Sequence, residues 1–302
     1  MKTNRPPFNN PLSAFAWFAV RKAALFVALT TVTTILFSQA AFAAAALTEP
    51  FDYNVADGAD LGTNGNWLKS GGAASADVSL DIKDGDLTVA SVTNPVVTYN
   101  KRVRATQANG LGVKNFTNGI PGNLPITNGS YYVSCLFKVV TPNTNANYYA
   151  PVIALGDVND PSTESGTGTR ELRAGVVVYC QVATAGSTVR LGVRKGAGSA
   201  SDGTNTYDSA TYTTNDTVLI VAKYTFGSGS GDDTVMLWLD PASLGGAEDG
   251  LPAVIATTSA NAADIASLRW LTISSGSSGN GGSVWDVDNI RVGPTWADVT
   301  PP

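Results

Sequence analysis

The sequence contains no histidine, and this absence excludes several classes of enzyme. Ser-His-Asp and Cys-His catalysis both need an imidazole base, and histidine-ligated zinc sites need one as a ligand. Only two cysteines are present, too few for a structural zinc site of the thiolate type. Neither a glycine-rich dinucleotide motif between a strand and a helix nor a Gly-Lys-Ser/Thr phosphate loop occurs. Glycoside hydrolysis by a pair of carboxylates remains compatible with these absences.

Positive charge is scarce once the first 43 residues are set aside. Residues 44–302 carry 15 Lys and Arg against 24 Asp and Glu, a net charge of −9. Nucleic-acid binding needs Lys/Arg clusters facing the phosphates, and Lys101–Arg104 is the one basic cluster, which a solvated strand face explains. No segment after the leader reaches the ~20 apolar residues of a membrane span. The sequence therefore predicts no nucleic-acid partner and no membrane association of the mature chain.

The first 43 residues have the pattern of a signal peptide. Residues 1–22 carry four cations and no acid, Ala23–Phe37 form an apolar segment, and Ala41 and Ala43 occupy the small-residue positions of a cleavage site. An uncleaved anchor is the alternative, because the uncharged run extends to Thr48 and could span a bilayer. We expect a signal helix over residues 1–43, cleavage after Ala43 and export. The final location, medium or periplasm, stays open.

Residues 44–302 are dominated by short strand patterns bounded by Gly, Asn, Asp, Ser and Pro. Asp84-Gly85 is typical of a hairpin turn, and the one expected helix is short, with Asn261 as its N-cap and Leu268 near its end. Many short strands with turn clusters between them favour an all-β sandwich or barrel. We predict one domain over residues 44–302, an antiparallel β-sandwich of two packed sheets.

The two cysteines, Cys135 and Cys180, are predicted to face the core. Each occupies an apolar position in a strand of alternating pattern, "YYVSCLFKVV" and "ELRAGVVVYCQV". In an exported chain they can form a disulfide if their strands are neighbours, and two buried free thiols are the alternative.

Asp286 and Asp288, in "SVWDVDNIRV", are the one pair of acids at a spacing that suits glycoside hydrolysis. Residues two apart on a strand lie roughly 6.6 Å apart, within the ~6.5–9.5 Å of inverting enzymes. The apolar residues around them change parity between Val284 and Val287, so the two acids need not share a face. Only four glutamates occur after residue 43, and none is paired at strand spacing.

Oxygen ligands suited to Ca²⁺ are common, but none follows an EF-hand pattern. They concentrate in "DYNVADGADLGTNGN", in "GDVNDPSTES" and in "DVDN". The alternative is that these Asp and Asn residues serve as turn formers through bonds to nearby backbone amides.

Alternation places several large polar or aromatic residues on the side of their strands away from the core. Arg190 and Arg194 face outward in "TVRLGVRK", and Trp238 faces outward in "DTVMLWLD". Tyr149 follows a loop rich in Asn, Thr and Pro. Exposed aromatic residues mark binding sites, so these four are the candidate ligand-binding residues. A loop crossing the sheet and covering Trp238 is the alternative.

Three segments resemble secreted concanavalin A-like, LamG-like jelly-roll proteins of bacteria. They are "EPFDYNVADGADLG" near the start, "VLIVAKYTFGSGSGDDTVMLWLDP" in the middle and "VWDVDNIRVGPTWADVTP" at the end. The resemblance implies a jelly roll whose first and last strands lie side by side. It also implies that Asp288 helps to bind a structural Ca²⁺ beside the first strand. The Glu-x-Asp-x-x-Glu strand of laminarinase-type relatives is absent, which argues against their activity.

Three functions are compatible with these features. The first is a secreted, non-catalytic module that binds extracellular carbohydrate or matrix polymer. The second is a structural or adhesive exoprotein that associates with itself or with a cell-surface protein. The third is a glycan hydrolase or lyase that uses Asp286 and Asp288. The sequence favours the first, and it does not give an oligomeric state.

Overall fold

Two antiparallel β-sheets pack face to face in the computed structural model, with the hydrophobic core between them. The structure describes residues 47–64, 67–69, 79–92, 98–106, 115–120, 125–157, 174–196, 205–248, 253–257, 264–275 and 283–300. The chain divides into residues 1–43 and residues 44–302, and every described residue belongs to the second unit. The predicted signal peptide lies outside the described residues.

Fifteen strands account for most of the regular structure. The first eight are β1 (Leu47–Glu49), β2 (Leu68–Lys69), β3 (Ser79–Asp84), β4 (Lys101–Thr106), β5 (Asn115–Gly119), β6 (Ser130–Thr141), β7 (Tyr149–Gly156) and β8 (Ala174–Thr184). The others are β9 (Thr188–Lys195), β10 (Thr206–Tyr207), β11 (Val218–Thr225), β12 (Thr234–Leu239), β13 (Ile255–Thr257), β14 (Trp270–Ser274) and β15 (Val284–Gly293). A 3₁₀ turn spans Leu61–Thr63, and helix α1 spans Trp296–Val299.

The eight-stranded sheet, which we call the back sheet, has the order β13-β12-β11-β6-β15-β4-β3, with β1 also paired to β15. The seven-stranded sheet, which we call the front sheet, has the order β10-β9-β8-β7-β14-β5-β2. Neighbouring strands are antiparallel throughout the described pairings. The predicted antiparallel sandwich and its jelly-roll architecture are confirmed.

The first and last strands of the described chain lie side by side, as the resemblance implied. Strand β1 pairs with β15 through Leu47 and Val292. On its two edges β15 also pairs with β4 and β6, and a bulge interrupts its pairing with β6 between Asp288 and Arg291. Asn289 sits in this bulge with a φ of 47°, a conformation that Asn tolerates better than most residues.

The outer face of the back sheet is covered by a second hydrophobic cluster. Trp238 and Trp296 are its largest members, and Leu87, Leu136 and Val299 pack with them. Helix α1, which the sequence did not predict, delivers Trp296 and Val299. It begins at a capping box formed by Thr295 and Asp298. The back sheet is therefore buried on both faces over this area.

Two local predictions are wrong. Asp84-Gly85 forms a turn in which Gly85 has a φ of 86°, but β3 pairs with β4 rather than with the residues directly after the turn. Leu87 is instead buried in the outer cluster, and Val89 and Val92 pack against that cluster while partly buried. Residues 261–263 of the expected helix lie outside the described residues, and residues 264–268 are not helical.

The two cysteines are buried free thiols, which corrects the disulfide expectation. Both side chains enter the core as predicted, but Cys135 is on β6 of the back sheet and Cys180 is on β8 of the front sheet. Packed sheets lie ~10 Å apart, whereas a disulfide needs Cα atoms within about 7 Å. No helix among the described residues has the length and hydropathy to cross a bilayer.

We expect no thiol to react in the native protein and two thiols per chain to react once it is unfolded without reductant. Burial raises the pKa of the Cys135 and Cys180 thiols to about 12, so native thiolate is scarce as well as inaccessible. Titration with a chromogenic disulfide reagent before and after guanidinium measures both states. An unfolded, unreduced chain with no reactive thiol would contradict this placement.

Candidate functional site

A polar and aromatic surface lies on the outer face of the front sheet, where β7 to β10 run side by side. We call it the tyrosine–arginine face, and its members are Tyr149, Tyr179, Gln181, Arg190, Arg194 and Tyr207. Alternation produces this face. Val189, Leu191 and Val193 of β9 enter the core, so Arg190 and Arg194, which alternate with them, point outward, as predicted. On β8 the same rule buries Val178 and Cys180.

Gly192 is the residue that lets an aromatic ring lie flat on this face. It separates the two arginines on β9 and pairs with Tyr207 of β10. A Cβ atom at Gly192 would lie 2.4 Å from a carbon of the Tyr207 ring. The Tyr207 ring therefore rests directly on the strand, and the guanidinium carbon of Arg190 lies 5.1 Å from its centroid.

Tyr149, Gln181 and Arg190 form one row across three strands. Nε of Arg190 donates to Oε1 of Gln181 at 2.6 Å, and Nε2 of Gln181 donates to the backbone oxygen of Asn147 at 3.3 Å. Within the described part of the chain these bonds engage only Nε of the guanidinium. The terminal nitrogens of Arg190 thus remain as donors for a ligand, with their direction fixed by Gln181.

The Tyr207 hydroxyl is held as a proton donor. Nδ2 of Asn205 donates to it at 3.0 Å. Burial raises the pKa of Tyr207, while the Asn205 bond and the Arg190 charge oppose the rise. The phenol is therefore neutral and can still give its own proton to an acceptor. Oδ1 of Asn205 is buried and has no hydrogen-bond partner among the described residues.

The tyrosine–arginine face is open at one end and closed at the other. Tyr149 is 45% exposed, and Arg190 and Tyr207 are half-buried. Arg194 is only 7% exposed, with its guanidinium carbon 5.0 Å from the centroid of the fully buried Tyr179 ring. Of the predicted ligand residues, Tyr149 and Arg190 can reach a ligand, whereas Arg194 supports Tyr179. The open end therefore presents the exposed ring of Tyr149 together with the hydrogen-bond donors of Arg190 and Tyr207.

Trp238 is not part of this surface, which corrects its assignment as a ligand-binding residue. It lies on the outer face of the back sheet, as alternation predicted, but it is only 2% exposed. The Trp296 ring packs against it edge-on, with centroids 5.2 Å apart. The chain segment after β15 therefore covers it, as in the alternative in which a loop crosses the sheet.

Asp286 is a buried carboxylate held by two arginines. Trp285 and Val287 enter the core, so Asp286 faces outward on β15. Arg104 contacts it with Nε at 2.7 Å and Nη2 at 2.8 Å, and Nε of Arg102 contacts it at 2.7 Å. Both oxygens of this carboxylate therefore already accept guanidinium N–H groups, which leaves little room for a water molecule to bind them.

Asp288 shares the outer face of β15 with Asp286 but is engaged by backbone. Its Oδ2 accepts the N–H of Leu87 at 2.8 Å, and its Oδ1 accepts the N–H of Asn289 at 2.7 Å. Burial raises the pKa of Asp288 to about 7. The side chain therefore fastens the segment after β3 onto the last strand, rather than facing the first strand.

A cluster of acids lies elsewhere, at Asp232, Asp233 and Asp264, whose carboxylate oxygens are within 4.8 Å of one another. Each carboxylate already accepts hydrogen bonds: Asp232 from the backbone N–H groups of Ser228 and Gly229, Asp233 from Tyr224 and Gly227, and Asp264 from the ammonium of Lys195. Lys195 is fully buried, so it supplies a cation inside the cluster.

Three residues of the front sheet were missed from the sequence, although alternation could have identified them. Tyr179 and Gln181 alternate with the core residues of β8. Trp270 of β14 precedes the inward-facing Leu271, so it faces outward between Gly119 and Gly156 of the two neighbouring strands. Nε1 of Trp270 has no hydrogen-bond partner among the described residues.

No family model and no curated protein matches the sequence. Among solved structures, the exoplasmic/lumenal domain of VIP36 in its Ca²⁺/Man2-bound form has 13% identity, covers 85% of this chain and 95% of its own, and gives a TM-score of 0.44. A carbohydrate esterase from the Shiga toxin-encoding bacteriophage phi24B has 15% identity, coverages of 82% and 98%, and a TM-score of 0.41. An alginate lyase from Alteromonas sp. 272 has 10% identity, coverages of 62% and 80%, and a TM-score of 0.36. At these identities the likeness concerns the arrangement of strands, and nothing about the function of this chain follows from it.

The stability difference between wild type and Asp288→Asn should change between pH 4 and pH 7. The folded pKa of Asp288 is raised above its unfolded value, so the folded wild type holds a proton that the unfolded chain has lost. Wild-type stability from this group is greatest below the unfolded pKa and falls, by at most about 1.4 kcal/mol per pH unit, as pH rises through this window. The variant lacks this slope. Guanidinium unfolding of both proteins at several pH values measures it, and parallel curves would refute the assignment.

Proposed function

We propose that the mature chain is a secreted, non-catalytic module that binds extracellular carbohydrate polymer at the open end of the tyrosine–arginine face. The observation that carries this proposal is the row of Tyr149, Gln181 and Arg190, which combines an exposed ring with a guanidinium whose direction is fixed. Export is inferred from the leader over residues 1–43.

Carbohydrate suits this surface because a sugar presents both apolar and polar sides. The C–H side of a pyranose packs on an aromatic ring, and its hydroxyls need donors and acceptors in fixed positions. Tyr149 offers the ring, while Arg190 and the Tyr207 hydroxyl offer donors. The aromatic ring and the directed donors thus lie within four adjacent strands, β7 to β10.

The absence of catalysis is proposed from the state of the two acids on β15. Hydrolysis with inversion needs one protonated acid and one free carboxylate on opposite sides of the substrate. Asp286 is neutralised by Arg102 and Arg104, and both oxygens of Asp288 accept backbone N–H groups. Neither is disposed to act on a bound glycan.

Tyr149→Ala and Arg190→Ala should each weaken binding to a responsive polysaccharide by roughly five- to thirtyfold, the equivalent of about 1–2 kcal/mol. The ring or the directed donors are lost, while the core is untouched. Tyr99→Ala is the matched control, since Tyr99 is 42% exposed outside the tyrosine–arginine face. A glycan array on the mature protein selects the ligand, and affinity electrophoresis in that polysaccharide measures each variant.

Several outcomes would overturn the proposal. Silence across broad glycan panels together with concentration-dependent light scattering would favour the self-associating exoprotein. Release of reducing ends or unsaturated sugars, lost in Asp286→Asn or Asp288→Asn, would establish the enzyme. Equal weakening by Tyr99→Ala and Tyr149→Ala would remove the tyrosine–arginine face as the ligand surface.

We further propose that a structural Ca²⁺ binds at the acidic cluster rather than at Asp288. Asp232 is the exposed member of that cluster and accepts backbone N–H groups from Ser228 and Gly229 with Oδ2 alone, whereas both oxygens of Asp288 accept backbone N–H groups. Addition of CaCl₂ to chelator-treated protein should then raise the Tm of wild type but not of Asp232→Asn. A Tm that does not respond to Ca²⁺ in wild type would rule this out, and would leave Lys195 as the cation that neutralises the cluster.

A further inference from the structure

A cationic cavity of about 390 Å³ opens on the outer face of the back sheet, on the opposite side of the sandwich from the tyrosine–arginine face. Its charged lining consists of Arg102, Arg104, Lys138, Asp86 and Asp286. Three cations thus face two acids, in a mature chain whose net charge is −9. Burial and the nearby charge of Asp52 raise the pKa of Asp86, while the charge of Arg102 opposes the rise.

Asp286 holds the two arginines in fixed positions. It joins β4 to β15 by accepting Nε of both guanidinium groups and Nη2 of Arg104. Nη1 of Arg102 is held by the backbone oxygens of Asp84 and Gly85. Among the described residues, Nη2 of Arg102 and Nη1 of Arg104 have no such partner. Two N–H donors of fixed direction therefore remain. Because folding already orders both guanidinium groups, binding a ligand to them costs little further conformational entropy.

Lys138 adds a third cation whose charge is not neutralised by an ion pair. It lies opposite Asp286 in the pairing of β6 with β15. No carboxylate of the described chain lies within ion-pair distance of its ammonium. The Lys138 charge does contribute to lowering the pKa of Asp216, but hydrogen bonds from Thr213 contribute more.

We propose that this cavity binds an oxyanion, carboxylate or sulfate, carried on a ligand of about sugar size. The guanidinium donors of Arg102 and Arg104 and the ammonium of Lys138 contact the anionic group, and Thr214, Leu87 and Val140 line the remaining space. A volume of this size exceeds what a bare sulfate ion fills and falls within the range of small-molecule sites. The proposal is independent of the tyrosine–arginine face, because it concerns different strands and the other sheet.

Glucuronate and glucose form a matched pair of probes, since they differ at C6 by a carboxylate. Titration of the mature protein, followed by NMR shifts or calorimetry, should show saturable binding of glucuronate, weakened by NaCl, and none of glucose. Lys138→Gln should weaken glucuronate binding about tenfold, as expected when one charge-assisted contact is lost. Lys83→Gln, which removes a cation outside the cavity, should have no effect.

Competition with inorganic sulfate tests whether the cavity recognises the oxyanion alone or also the sugar that carries it. If sulfate displaces glucuronate at a similar concentration, the oxyanion alone accounts for the affinity. If sulfate competes much more weakly, the sugar ring also contributes to binding. Equal binding of glucose and glucuronate, or glucuronate binding that Lys138→Gln leaves unchanged, would overturn the proposal. Unfolding midpoints of both variants must match wild type. Tyr149→Ala should bind glucuronate as wild type does. The result for the cavity is therefore distinguishable from the result for the proposed function at the tyrosine–arginine face.

Discussion

The alternation of side chains along β15 is the constraint on which the rest of the structure depends. This strand pairs with β4, β6 and β1, and each of its side chains therefore belongs to one of two environments. Trp285 and Val287 fill the core, and replacing a fully buried Trp by Ala costs on the order of 3–5 kcal/mol. A slip of one residue would place Asp286 in that core, so the register is firmly determined.

The side chains on the outer face of β15 connect this strand to other parts of the back sheet. Asp286 forms ion pairs with Arg102 and Arg104. Removing one partner of a buried ion pair typically lowers the free energy of unfolding by about 3–5 kcal/mol. The loss is smaller here because both arginines are partly exposed. Asp288, two residues on, fastens the Leu87 segment through a backbone N–H. The bulge at Asn289 then returns Ile290 and Val292 to the core. Asp286 and Asp288, whose spacing resembled that of catalytic acids, therefore both make structural contacts.

The two sheets differ in what covers them. Helix α1 and the segment after β3 bury the outer face of the back sheet around Trp238. On the front sheet Tyr149 stays exposed, and the side chains below it interlock through Tyr179, Arg194 and Gln181. Burying a guanidinium against an aromatic ring stiffens both groups, which favours a surface with a fixed shape. The difference in coverage, rather than the strand pattern, leaves one sheet face partly exposed and makes the other a second core.

The sequence by itself determined the longer strands, the antiparallel sandwich and, where alternation is regular, which side of a strand faces the core, because a period of two is local information. It placed Arg190, Arg194, Trp238 and both cysteines on the correct sides of their strands. Only the tertiary structure decided that Trp238 is covered, that Cys135 and Cys180 lie on opposite sheets, and that Arg102 and Arg104 meet at Asp286. These outcomes depend on which strands become neighbours and which segments cross them, and such contacts join residues up to about 200 positions apart in the chain. Alternation states which way a side chain points, but not what it meets there.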